Sequence, residues 1–305
     1  MSLSIAVSQP ITRLQSVPHT EWAKHRYQAT KDLRRLLLSW CMTGKWHYPF
    51  LLLSRTGYLL ARDKYSAFSI DRVYANTPEG WGWIGRRVDR YLLDLPVHRA
   101  VRARFEFVVG NGTEIVEQLL AQRADRLAVL SVPCGLVRDL CTIYARLRLG
   151  HPDIAERLVL YGLDVDFEGN VLEEAQRRAR QAGVPIHLIQ ANALHPRSWS
   201  WLSGQEPSFS LINCIGLAPW LKPWELRSLL ERFADHLHPG GYVLIDRWNH
   251  GKHGKWGKGA DIHANYHTRE EYREHIQMCG FTLLKSEILG EDEGMGYVLQ
   301  KPVVP

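Results

Sequence analysis

The chemistry-bearing residues of this 305-residue chain lie at the ends of short apolar runs. "LYGLDVD" closes on Asp164, a carboxylate able to accept hydrogen bonds from both ribose hydroxyls of a nucleoside. Asn192 in "IHLIQANAL" carries both an acceptor oxygen and a donor amide, with the small Ala191 and Ala193 on either side. In "LAVLSVPCGLVRDL" an apolar run stops at Pro133-Cys134-Gly135, and the single Gly135 lets the backbone approach a ligand closely. Asn213 ends another apolar run, "FSLINC". Each residue has a plainer reading: a helix N-cap for Asp164, a turn residue for Asn192, and an ordinary turn at Gly135. Asp166 lies at the expected helix entrance and is the poorer ribose ligand.

Two other features invite chemistry. Cys134 sits at a strand–helix turn, where nearby N–H groups favour a thiolate, but a nucleophile needs a base and the sequence places none. The segment 246–272, "DRWNHGKHGKWGKGADIHANYHTREEY", gathers His250, His253, His263 and His267 among Trp248, Trp256 and Tyr266. His250, His253 and Tyr266 are candidates for proton removal, and the aromatics offer stacking or cation–π surfaces. A flexible basic loop is the alternative. His250 and His253 have metal-ligand spacing, but no carboxylate or cysteine partner accompanies them, so no metal is expected. The five cysteines are scattered without a CxxC pair, which argues against zinc and a disulfide framework and for a reducing, cytoplasmic setting. The first twenty residues lack the charged start of a signal peptide and are expected to be loosely ordered.

The elements that position these residues follow from hydrophobic rhythm. Up to about residue 124 the pattern is helical. "EWAKHRYQATKDLRRLLLSWCM" sets Trp22, Tyr27, Leu33, Leu36, Leu37 and Trp40 on one side and basic residues opposite. A second helical stretch covers 47–64, and "RRVDRYLLDLP" reads as a helix ended by Pro96. "VHRAVRARFEFVVGNGTEIVEQLLAQR" reads as helix, Asn-Gly turn, helix. From residue 125 short apolar strands alternate with amphipathic helices, and a strand pair closes the chain. This is an α/β fold: a Rossmann-like, doubly wound, mostly parallel sheet with an antiparallel edge strand, preceded by an N-terminal helical region. The expected division is a helical cap over 1–124 and an α/β domain over 125–305. Ligands of such sheets sit beyond the carboxyl ends of the strands, where Pro133, Cys134, Gly135, Asp164, Asn192 and Asn213 all fall.

With these segments in order, residues 125–301 resemble class I S-adenosylmethionine-dependent methyltransferases. The resemblance gives Asp164 the ribose, Asn192 the adenine, and the 133–135 loop and Asn213 further cofactor contacts. "HLHPGGYVLIDRW" resembles the family's turn before the fifth strand. The first loop departs from the family's Asp/Glu-x-Gly-x-Gly-x-Gly: Ser131, Pro133, Gly135 and Val137 stand at those positions. A sulfonium cofactor carries no phosphate, so fewer glycines suffice, and Arg138 or Asp139 is placed to meet its amino-acid end. The segment 71–108 resembles the region preceding the domain in a bacterial methyltransferase family sometimes fused to α/β hydrolases. There Tyr74, Trp81 and Trp83 are either a lid over the cofactor or core residues.

The resemblance implies a methyltransferase using S-adenosyl-L-methionine on an O or N atom of a small-molecule or lipid-like acceptor. The absence of Asn-Pro-Pro-Tyr/Phe argues against transfer to a base or glutamine nitrogen. Alternatives are an inactive cofactor-binding scaffold and a nicotinamide-dependent oxidoreductase, which needs a denser glycine turn. The net charge of +6 and the basic 21–44 helix suit peripheral contact with an anionic membrane; no nucleic-acid motif accompanies the charge.

Overall fold

The computed structural model describes residues 10–14, 52–63, 66–122, 125–166, 169–206, 208–249, 264–291 and 294–303. The 21–44 helix lies outside them, as do His250, His253, Trp256 and His263. Residues 1–18 with 104–305 form one compact unit and residues 19–103 a second. Among the described residues no helix is long and apolar enough to cross a membrane.

The larger unit is built on an eight-stranded sheet ordered β1-β4-β3-β2-β5-β6-β8-β7. Its strands are β1 (Thr12–Arg13), β2 (Leu127–Ser131), β3 (Leu158–Asp164), β4 (Ile186–Gln190), β5 (Phe209–Cys214), β6 (Leu237–Trp248), β7 (Thr282–Leu289) and β8 (Gly294–Gln300). β1 to β6 run parallel, and β8 pairs antiparallel with both β6 and β7. β2 and β5 are buried along their whole length, which is why they read as unbroken apolar runs rather than alternating ones. Alternate residues feed two cores. Leu127, Val129, Leu160, Leu188 and Leu244 pack with helices α4 (Pro96–Gln122), α5 (Arg138–Gly150) and α7 (Val171–Ala182). Leu130, Leu163, Ile189, Ile212 and Val243 pack with α8 (Pro196–Gln205), α9 (Pro223–His236) and α10 (Arg269–Met278). A short helix, α6 (Ile154–Arg157), leads into β3.

Several helix ends follow their sequence signals. α7 stops at Gly183, whose φ of 65° and N–H bond to the Ala179 carbonyl close the last turn. α10 opens with a Thr268–Glu271 capping box. Other expectations are corrected. The stretch read as helix, turn, helix is continuous within the 27-residue α4. Gly112 serves close packing there: a Cβ at this position would stand 2.8 Å from Cδ1 of Ile143 on α5, while Asn111 donates to the Phe107 carbonyl within the helix. Pro96 starts α4 instead of ending its predecessor, since proline at the first helical position forfeits no needed donor. α8, also opened by a proline, had no counterpart in the sequence reading. Thr12–Arg13 is not loose but pairs with Ile189 and Gln190, because the open edge of β4 offers backbone groups to any extended segment.

The second unit contains α1 (Arg55–Asp63), α2 (Ala67–Ala75), α3 (Gly82–Leu93) and the first residues of α4. Its polar centre is Asp89, fully buried on α3. One carboxylate oxygen accepts from the Ser54 hydroxyl at 2.5 Å and Thr56 N–H at 2.7 Å; the other accepts from Glu79 N–H at 2.8 Å and the Arg72 guanidinium at 3.2 Å. One side chain thereby fixes the start of α1, the end of α2 and the loop before α3. Burial alone would raise the Asp89 pKa, but the hydrogen bonds from Ser54, Glu79 and Thr56 outweigh it and hold the group below its ordinary value. Buried His98 has its Nδ1 against the Leu92 carbonyl and is pushed down to about 4, chiefly by desolvation.

Asp89→Ala removes the buried one of the two carboxylates paired with Arg72, and with it the acceptor of three further hydrogen bonds, and is expected to destabilise this unit by about 3–5 kcal/mol, read by denaturant titration. Because the folded pKa is depressed, the stabilisation is complete above the ordinary aspartate value of about 3.9 and fades as pH falls through the folded value. The gap between wild type and variant therefore narrows in acid; a gap independent of pH contradicts the ionic assignment.

Candidate functional site

The strand order reverses at β2. From it the chain runs outward through β3 and β4, then returns to place β5 and β6 on the other side, so the ends of β2 and β5 border the crevice where such sheets bind ligands. Backbone bonds stitch these ends together. Val132 N–H reaches the Asn213 carbonyl at 2.8 Å, Cys134 N–H the Leu163 carbonyl at 2.9 Å, and Ala191 N–H the Asp164 carbonyl at 2.8 Å.

Asp164 is the meeting point. One carboxylate oxygen accepts from Gly135 N–H and the other from Asp166 N–H, each at 3.0 Å. Gly135 and Asp164 are thus in direct contact, and Asn192 follows the residue bonded to the Asp164 backbone. Asn192 Oδ1 accepts from Leu194 N–H at 2.9 Å, so its side chain is oriented by the turn that opens α8. Asp166 instead caps α7, taking the N–H groups of Val171 at 2.9 Å and Leu172 at 3.4 Å. Desolvation pushes the Asp164 pKa above its usual value, against the N–H bonds from Asp166, Gly135 and Val165 and with the nearby Asp166 charge.

The glycine-poor loop keeps a glycine-like path. Gly135 has φ 48° and Val137 φ 52°. A β-branched residue in this left-handed region is strained, and the fully buried Val137 side chain offsets that strain by packing in the core. Pro133 is half-buried. Cys134 turns inward: a Cβ on Gly162 would meet its Cβ and Sγ at 3.0 Å. Burial, with the nearby Asp164 and Asp139 charges, drives its thiol well above the ordinary range, so Cys134 is no thiolate nucleophile and offers the site only its backbone.

A second cluster lies across the end of β2 from Asp164. Asp139, in the first turn of α5, accepts from the Ser131 hydroxyl at 3.1 Å and from the Asn213 amide. Ser131 occupies the position of the family's acid, and a carboxylate from eight residues downstream reaches it. Burial raises the Asp139 pKa despite bonds from its own helix N–H groups, Ser131 and Asn213. Asn213 Oδ1 is buried with no hydrogen-bond partner among the described residues, an arrangement costing about 1–3 kcal/mol unless a donor fills it. The resemblance offered Asp139 or Arg138 for the amino-acid end without the Ser131 and Asn213 partners; a polar Ser131 at the end of an otherwise apolar strand was the signal for this network.

Beyond β5 and β6, fully buried Asp246 accepts from Gly216 N–H at 2.7 Å, Trp248 Nε1 at 3.1 Å and Arg104 at 3.3 Å. The Arg104 guanidinium lies 5.6 Å from the centre of a Trp248 ring. Gly216 is required twice over: its φ is 79°, and a Cβ would stand 3.0 Å from Arg104. Tyr266 sits between Asn265 and His267, both tied to the turn after β5: Asn265 N–H bonds the Pro219 carbonyl at 2.7 Å and His267 Nε2 the Leu221 carbonyl at 2.9 Å. Burial pushes the Tyr266 pKa up, so it is a hydroxyl at neutral pH. Of the three residues considered for proton removal, Tyr266 alone falls in the described structure. Among the described residues no group of three or more His, Cys, Asp or Glu is placed to hold a metal ion.

No curated protein sequence matches the chain. Among solved structures it is similar to a protein described as a possible exported protein from Bordetella parapertussis, with 20% identity, 92% of this chain and 97% of that chain covered, and a TM-score of 0.64. It is also similar to magnesium protoporphyrin IX methyltransferase from Synechocystis PCC 6803, solved with bound SAH, with 13% identity, 80% and 99% covered, and a TM-score of 0.50. These likenesses are of fold, and the fold is that of the class I methyltransferases. The model of a protein family described as "Putative methyltransferase" matches residues 41–245, more than half of the sequence, and the chain belongs to that methyltransferase family.

Proposed function

We propose that the chain transfers a methyl group from S-adenosylmethionine to an O or N atom of a small-molecule or lipid-like acceptor. The observation that carries this reading is the Gly135–Asp164 contact at the topological switch point. The bound cofactor supplies an electrophilic sulfonium methyl group, open to displacement by a lone pair. Asp164 accepts from the ribose hydroxyls through lone pairs left beside its N–H bonds. Asn192, with Ala191 and Ala193, frames the base. The Pro133–Gly135 backbone lines the approach, and the Asp139 carboxylate with the unfilled Asn213 Oδ1 takes the amino-acid end, two acceptors facing an ammonium donor. Tyr266, beside the turn after β5, is placed to meet the acceptor. The four described cysteines are free, which supports a reducing, cytoplasmic setting.

S-adenosylhomocysteine is expected to raise the melting temperature and to bind measurably by calorimetry. Asp164→Ala is expected to weaken binding by about tenfold or more, the worth of a hydrogen bond to a charged group. An unchanged melting curve at saturating ligand would overturn the cofactor assignment.

The amino-acid end has its own test. Asp139→Asn is expected to weaken S-adenosylhomocysteine while leaving 5′-methylthioadenosine, which lacks that end, unaffected. Both raised carboxylates must be ionised to accept, so affinity is present at neutral pH and falls in acid, with the loss beginning above the ordinary aspartate value of about 3.9. Equal weakening of both ligands contradicts the placement.

One observation favours a second reading, a binding or scaffold protein: Ser131, Pro133 and Val137 replace an acid and two glycines. It requires Asp164-dependent cofactor binding with no labelled methyl group passed to any component of a cell extract.

A further inference from the structure

Helix α3 has two faces of opposite chemistry. Gly85, Asp89, Leu92 and Leu93 turn inward. At helical spacing on the far side stand Trp83, Arg87, Arg90 and Tyr91, flanked by Ile84 and Arg86, with Trp81 at the N-cap. Trp81 is 81% exposed, Trp83 and Tyr91 66% each, and Ile84 46%. Tryptophan is normally among the most covered residues, so two adjacent ones at this exposure mark a surface with a purpose.

The charge on this face is one-signed. Arg86, Arg87 and Arg90 are exposed and make no ion pair among the described residues. Among the described residues the acids beside this face are engaged elsewhere. Asp89 is buried against Arg72, Glu79 pairs with Arg72 at 2.9 Å, and Asp94 at the C-cap lies beside Arg102.

The aromatics are also held in place. Trp81 N–H donates to the Leu53 carbonyl at 2.8 Å, and Asp89 grips the Glu79 N–H. Gly80 is pressed on Gly85 so closely that a Cβ on either would overlap the other's backbone.

We propose that this face docks on an anionic lipid surface, with Trp81, Trp83, Ile84 and Tyr91 seated at the headgroup boundary and Arg86, Arg87 and Arg90 on lipid phosphates. Indole and phenol rings combine an apolar body with a polar edge and settle at that boundary; guanidinium groups pair with phosphate oxygens. A purely acidic protein surface would engage the arginines but leave the aromatic row in water. The inference concerns residues 81–91 alone and does not rest on the transfer reaction.

The test uses the full chain with vesicles of phosphatidylcholine, with and without phosphatidylglycerol, at low and high salt. The account expects co-sedimentation and a blue shift of tryptophan fluorescence with the anionic vesicles, weakened by salt, and neither with the neutral ones. Replacing Arg86, Arg87 and Arg90 together by Gln is expected to lower partitioning by about a hundredfold, and Trp81→Ser with Trp83→Ser by roughly tenfold or more. All five side chains are exposed, and circular dichroism checks that both variants fold. Equal binding to neutral vesicles, or binding untouched by either set, overturns the proposal. Dependence on the arginines without the tryptophans overturns the lipid assignment in favour of an acidic partner. Loss of S-adenosylhomocysteine affinity in the tryptophan variant with vesicle binding intact assigns these residues to the cofactor site instead.

Discussion

The carboxylate of Asp164 is a charge placed where burial disfavours it, at the junction of three strand ends. It survives there because the loop after β2 and the turn after β3 each bring it an N–H. The dependence is mutual. The loop holds its left-handed path, despite its lack of glycines, partly because one of its N–H groups is anchored on that carboxylate. Burial outweighs these bonds and raises the proton affinity of the carboxylate. A partner offering hydroxyl donors would complete its shell.

The contrast with Asp89 shows how the same residue type serves two ends. Asp89 is also buried, yet its proton affinity is lowered, because it collects a hydroxyl, two N–H groups and a guanidinium. A fully coordinated carboxylate has nothing left to offer a ligand and works as a clamp. Asp164 and Asp139 are raised instead, because burial outweighs the donors each collects; the first ends β3 and the second reaches the end of β2 from the first turn of α5. A buried carboxylate perturbed toward the protonated form and bordering a topological switch point is a candidate ligand group. The same clamp fixes the loop that displays Trp81, so the stability of the smaller unit and the shape of its exposed face share one origin.

The sheet was largely legible in the sequence, because parallel strands buried on both faces leave unmistakable apolar runs and their ends mark the crevice. Asp164 was legible for the same reason: the run stops at it. What local pattern did not reveal depended on contacts distant in sequence. Gly112 looks like a turn until Ile143 is seen against it. Pro96 and Pro196 look like breakers until the helices are seen to begin at them. The pairing of Thr12 and Arg13 is set by an open edge far along the chain. Asp139 joins Ser131 and Asn213 only once β2 and β5 lie side by side, so that cluster is a product of tertiary structure.

The most direct test of the account is a crystal structure of the chain grown with S-adenosylhomocysteine. The account expects the ribose hydroxyls within hydrogen-bond distance of Asp164, with the Gly135 contact intact, and the ligand's ammonium on Asp139 and Asn213 Oδ1. A ligand seated elsewhere, with Asp164 still bonded only to Gly135 and Asp166, would contradict it.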